Sequence, residues 1–298
     1  MAKADKKAVR AAGPVASRVL EELADSRRHS VTVAGDRAWL SQWTKDPNAL
    51  LESMADNQLL YRVGRGRYFV APRGTFSAAQ AAPAELIAGL ILGARGEYFI
   101  SYLSALINYR FTDLHSNTIY AAIPQASSFG ETSVELPSGT LRLVRLSRSN
   151  WPADPDDELV RVRVLPDAKE FVWRASMERT LVDSLSRPDL AAGPETVITS
   201  WARARQSDTD WDLVCAISAR RGKSMERRCA LLLRLLGLDA IAKRNFPDLA
   251  GRGANTPLDR SNSFQMSREA IKRDSETGVL LNVPEDYLRG WVSATSAP

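Results

Sequence analysis

Two β-prone runs, Leu59-Leu60-Tyr61-Arg62-Val63 and Arg67-Tyr68-Phe69-Val70, flank the tripeptide Gly64-Arg65-Gly66. Glycine takes left-handed backbone angles at little cost, so a Gly-x-Gly turn between alternating runs closes a hairpin. What precedes it is helical. Val15, Ala16, Val19, Leu20 and Leu23 recur at helical spacing and predict a first helix over 14–26, with Pro14 in its first turn. Val31 to Val33 is a short β-like run. Asp36 is placed to cap a second helix holding Ala38, Trp39, Leu40 and Trp43. Asp46 followed by Pro47 opens a third, with Leu50, Leu51 and Met54 on one side and its end near Asn57.

Helix, strand, helix, helix, hairpin is the element order of a winged helix-turn-helix, assigned here to 13–74. Charge is concentrated in the same part of the chain. Of a formal net charge of +5 over 298 residues, all falls in residues 1–74, which hold 13 lysines and arginines against 8 acids. The remaining 27 basic and 27 acidic residues cancel. A basic module on a neutral body points to an anionic partner for that module. Residues 1–12 read as a flexible basic arm with Lys3, Lys6, Lys7 and Arg10. A Pro-, Gly-, Ser- and Ala-rich stretch after the hairpin sets a linker at 75–83.

Residues 84–298 read as a larger mixed domain. Helices are expected over 84–94, 101–109, 175–186, 196–204, 211–219 and 224–236. Strands are expected over 97–100, 118–123, 140–146, 158–165, 169–173 and 279–283. Strands in the middle with helices mostly after them give an α+β class for the chain. At 44% apolar and 25% charged residues, wholesale disorder is excluded. No apolar run reaches the ~18–20 residues of a membrane span. The N-terminus lacks the apolar core of a secretory signal. Two cysteines, Cys215 and Cys229, read as buried thiols in a reducing compartment, so a cytoplasmic location without membrane contact is expected.

For duplex DNA, the hairpin offers Arg65 and Arg67 to phosphates or a narrow minor groove, where inserted arginines are favoured. In this motif the third helix enters the major groove by its first residues, here Thr44, Lys45 and Asn48. Asn48 fits adenine bidentately, and Lys45 fits guanine or phosphate. Arg62 and Arg73 complete the expected contact set. Glu52 and Asp56, farther along the same helix, face phosphates badly. They leave open a second reading, in which the module contacts protein.

Signals of catalysis are few. His29 and His115 are isolated, and the two cysteines lack the local pairing of zinc ligands. Arg221-Gly222-Lys223-Ser224 lacks the upstream glycine and strand of a phosphate loop and reads as a helix start. Asp167, Lys169 and Glu170 do not fall in the order a metal-dependent nuclease needs and read as surface charges, although a nuclease body is a third reading. Arg179 and Asp183, four apart on a helix, read as bracing. No catalytic residue, metal or cofactor is assigned, and the chain is read as a non-enzyme.

The chain also resembles the AbiEi-type antitoxins, regulators of type IV toxin–antitoxin and phage-abortive systems. The likeness rests on the run from Leu59 to Tyr68, on Tyr98-Phe99-Ile100-Ser101-Tyr102-Leu103-Ser104-Ala105-Leu106, and on Ala175-Ser176-Met177-Glu178-Arg179-Thr180-Leu181-Val182-Asp183-Ser184-Leu185 followed by Arg187-Pro188-Asp189-Leu190. It extends to Leu280-Leu281-Asn282-Val283-Pro284. The resemblance implies a winged helix that represses its own operon at inverted repeats. It also implies a C-terminal domain that neutralises a cognate nucleotidyltransferase toxin, directly or functionally.

Overall fold

The computed structural model describes residues 13–71, 77–78, 82–93, 96–165, 168–247, 249, 256–259 and 264–293. Lys3, Lys6, Lys7, Arg10 and Arg73 lie outside these, as does most of the expected linker. The chain forms two compact units. The first takes in the described residues of Met1–Glu97, Ser128–Leu141 and Arg161–Val172. The second comprises Tyr98–Ser127, Arg142–Val160 and Trp173–Pro298.

The first unit opens with α1 (Pro14–Asp25), β1 (Ser30–Thr32), α2 (Arg37–Leu40), α3 (Pro47–Asp56), β2 (Leu60–Gly64) and β3 (Arg67–Val70). The strands order as β1-β3-β2, antiparallel, with Val31 opposite Tyr68 and Tyr61 opposite Phe69. The apolar periodicity of the helices accounts for their packing. Val19 and Leu23 of α1, Leu40 of α2, and Leu51 and Met54 of α3 close over Val31, Leu60, Tyr68 and Val70. Each such side chain, fully removed from water, contributes about 1.5–3 kcal/mol. Asp46 caps α3 as its sequence predicts, accepting from Ala49 N–H at 3.0 Å. Asp36 does not cap α2. Its carboxylate is drawn back to Arg28 at 2.6 Å and to Thr32 N–H at 2.7 Å, where it ties the loop after β1. The unit also holds α4 (Ala84–Leu92), which buries Leu86, Ile87 and Ala88, and β6 (Ser133–Leu136).

Glu170 is not a surface charge. It accepts from His29 N–H at 2.9 Å and Ser30 hydroxyl at 2.7 Å, pinning the segment before Val172 to the start of β1.

The second unit is mixed. Its elements are β4 (Phe99–Ile100), α5 (Tyr102–Asn108), β5 (Thr118–Pro124), most of β7 (Gly139–Leu146), α6 (Pro155–Glu158), β8 (Leu159–Val162) and β9 (Val172–Ala175). There follow α7 (Met177–Ser186), a short 3-10 turn (Pro188–Leu190), α8 (Pro194–Ala204), α9 (Trp211–Arg220), α10 (Lys223–Leu235), α11 (Asp239–Asn245), β10 (Thr256–Pro257), β11 (Lys272–Arg273), β12 (Val279–Leu281) and α12 (Glu285–Ser293). Its larger sheet runs β7-β5-β4-β9-β8, and a small one runs β10-β12-β11. The α+β class holds. The helices α7 to α10 enclose a core around Leu181, Trp201, Val214 and Cys229. Trp201, fully buried, donates its indole N–H to the Leu181 carbonyl at 3.2 Å. Cys215 and Cys229 are both buried and free, and burial pushes the Cys229 thiol up. Arg221-Gly222-Lys223-Ser224 is a helix start, with Gly222 at φ +93° immediately before α10.

Among the described residues no helix is long and apolar enough to cross a membrane.

Candidate nucleic-acid interface

Of the side chains expected to meet DNA, six lie in the described part of the first unit. Lys45 and Asn48 are exposed at the start of α3, and neither has an ion pair or hydrogen bond among the described residues. Pro47 is α3's first residue and is buried, so the helix begins rooted in the core while its neighbours project. Thr44 lies in the turn before α3. Half-buried, it accepts from Asp46 N–H at 3.1 Å and shapes the turn into α3.

The hairpin places Arg65 and Arg67 around its turn. Gly64 pairs with Arg67 across the strands, with an irregularity in register between Arg62 and Gly64. Gly66 sits at φ +65°, where any other residue would be strained, and its carbonyl accepts from Val33 N–H at 2.8 Å. A Cβ at Gly66 would stand 3.5 Å from the Val33 side chain, so its backbone angle is what reserves the position for glycine. The turn is therefore anchored to the end of β1. Arg65 is exposed and Arg67 half-buried, and neither is engaged by a carboxylate among the described residues.

Arg62 has a partner that spacing alone did not reveal. Its guanidinium donates to Glu52 Oε1 at 2.9 Å and lies 6.0 Å from the centre of the Tyr68 ring. Glu52 is on α3 and Arg62 on β2, so the pair bridges the helix and the hairpin. A cleft of about 650 Å³ opens beside it, lined by Glu52, Ala55, Asp56, Tyr61, Arg62 and Ser77. Burial raises the Tyr61 phenol.

In the second unit the densest charge is buried. Arg179 donates Nε to Asp183 at 3.0 Å and a terminal nitrogen to Glu158 at 2.6 Å, with all three side chains at most 1% exposed. Arg221 also pairs with Asp183, and Arg220 with Glu158. Ser101 hydroxyl donates to Asp183 at 2.6 Å. Glu158 further accepts from Ala153 N–H at 2.9 Å. Burial pushes the Asp183 carboxyl up, but Arg179, Arg221 and Ser101 outweigh it and hold it below the ordinary carboxylate range. Each carboxylate is matched by guanidinium donors, so the network braces α6, α7 and the end of α9. Arg179–Asp183 pairing was legible at i, i+4, whereas Glu158, 21 residues away, was not. Tyr102, next to Ser101, is buried at φ +55°, an angle a bulky side chain rarely adopts. Burial raises its phenol first, and the Asp183 charge raises it further.

Among the described residues no group of three or more His, Cys, Asp or Glu is placed to hold a metal ion.

No family model matches this chain, and no curated relative matches it either. Among solved structures, the RV2827C protein from Mycobacterium tuberculosis is similar, with a TM-score of 0.66 at 17% identity over 91% of this chain and 92% of that one. At that identity the likeness speaks to the fold, across nearly the whole of both chains.

Proposed function

We propose that the first unit carries a winged helix-turn-helix that binds duplex DNA, with α3 entering the major groove by its first turn and the β2–β3 hairpin acting as the wing. The observation that carries this reading is the antiparallel order β1-β3-β2 behind three helices, with Arg65 and Arg67 at the hairpin turn free of carboxylates among the described residues. Unpaired guanidiniums on a rigid turn suit phosphates and narrow grooves. Lys45 and Asn48 at the tip of α3 suit base edges. On the resemblance to AbiEi-type antitoxins, we further propose that the chain represses its own operon and neutralises a nucleotidyltransferase toxin. In this reading the second unit supplies the antitoxin activity and no catalysis, and the protein works in the cytoplasm.

The test is fluorescence anisotropy with the duplex upstream of the protein's own gene. Neutralising about 4–6 phosphates gives a slope of log affinity against log salt of about −4 to −5. Replacing Arg65 and Arg67 together with alanine should flatten the slope by about 2 and weaken binding, with the thermal transition unmoved. A double variant that binds as the parent does defeats the wing assignment. Absence of any binding at ~100 mM salt, together with tight association with the toxin, favours the protein-contact reading.

A further inference from the structure

We propose that Glu52 and Arg62 act as one unit that reads a single C·G base pair in the major groove. The inference rests on the duplex-binding reading above. An acidic side chain on a groove-entering helix is ordinarily a liability, since it repels phosphates. Here it is tied to a cation of the neighbouring strand, Arg62, at 2.9 Å, so the pair carries no net charge.

The bond uses one carboxylate oxygen and one guanidinium nitrogen. Glu52 Oε2 and the remaining guanidinium N–H groups have no protein partner among the described residues. The two side chains stay 45% and 55% exposed and face the open cleft beside α3. What they present is an acceptor next to a fork of donors. The major-groove edge of a C·G pair presents the complement: the cytosine N4 amino group as donor, and guanine O6 and N7 as acceptors. An A·T pair places its amino donor beside N7 and offers a single carbonyl acceptor on the other base, so the fork is not matched. The ion pair brings both side chains together on one side of α3.

Position on the helix agrees. Glu52 lies one turn after Asn48, four residues or about 6 Å along the axis, which is close to two base-pair steps. Asp56, a further turn on, is exposed and has no partner among the described residues, so it serves as the contrast: an acid that only repels.

The experiment is selection from a random duplex pool with the full chain, comparing the parent with Glu52→Gln, Arg62→Ala and Asp56→Asn. The parent is expected to enrich a motif with one fixed C·G pair. Glu52→Gln should shift that position towards adenine, which glutamine matches, and leave the rest of the motif intact. Arg62→Ala should relax the same position by about 5- to 150-fold. Asp56→Asn should tighten binding to all duplexes alike. The proposal is overturned if Glu52→Gln enriches the parent motif, or if it only raises affinity uniformly as Asp56→Asn does. A parent that enriches no duplex at all overturns the DNA-binding reading itself, which separates the two failures.

Discussion

Replacing Arg179 with methionine removes the cation shared by Glu158 and Asp183, two buried carboxylates of the second unit. Glu158 Oε2 loses its 2.6 Å partner, and Asp183 loses the bond from Nε, while the Asn150 carbonyl loses a donor. The Phe99 ring also loses the guanidinium 5.2 Å from its centre. Breaking a buried pair at one side costs about 3–5 kcal/mol, because a desolvated charge is left uncompensated. Here each carboxylate keeps one arginine, Arg220 for Glu158 and Arg221 for Asp183, and Ser101 still donates to Asp183. The lower end of the range, about 3 kcal/mol, is therefore expected. For a unit of this size that corresponds to a fall in Tm of roughly 6–12 °C. Scanning calorimetry reads it directly. Glu285→Ala, which removes exposed pairs to Arg289 and Lys272, is the control and should leave Tm in place. A shift below about 2 °C for Arg179→Met, under ~1 kcal/mol, would refute the view that these carboxylates are charged and held by matched guanidiniums.

Two further outcomes follow from the same geometry. Asp183 titrates lower in the folded chain than when unfolded, so its contribution is fully present above the unfolded carboxylate value near ~3.9 and is lost as pH falls through the folded value. The Tm difference between the parent and Asp183→Asn should accordingly be constant from pH 7 to pH 5 and shrink below pH 4; a difference that persists unchanged at pH 2.5 would contradict the assignment. Asp46→Ala removes the acceptor for Ala49 N–H at the start of α3 and should cost ~1 kcal/mol locally, so amides of that helix exchange with deuterium about fivefold faster, with those of α10 unaffected.

The local part of this architecture was legible in the sequence. Apolar residues at helical spacing, the Asp46-Pro47 start and the Gly-flanked turn each act within one element, and α1, α3 and the hairpin stand where those signals put them. What escaped depends on distance or on sparse patterning. β6 buries only Leu136, and α12 only Leu288 and Trp291, too few positions to set a period. The strand expected over 158–165 is shorter, Leu159–Val162, because Glu158 ends α6 and turns inward to Arg179. That over 169–173 moves on to Val172–Ala175, because Glu170 is occupied by His29 and Ser30, about 140 residues away in sequence. In the candidate interface, Arg65, Arg67, Lys45 and Asn48 could be picked by residue type and turn chemistry. The Glu52–Arg62 pair could not, since ten residues and a change of element separate its members.

Hydrogen exchange with and without the upstream duplex is the most direct measurement of where DNA meets this chain. Protection over the first two turns of α3 and from Arg62 to Arg67, with the second unit unchanged, is the predicted result. Protection that leaves both of those segments untouched while the duplex is demonstrably bound would contradict it.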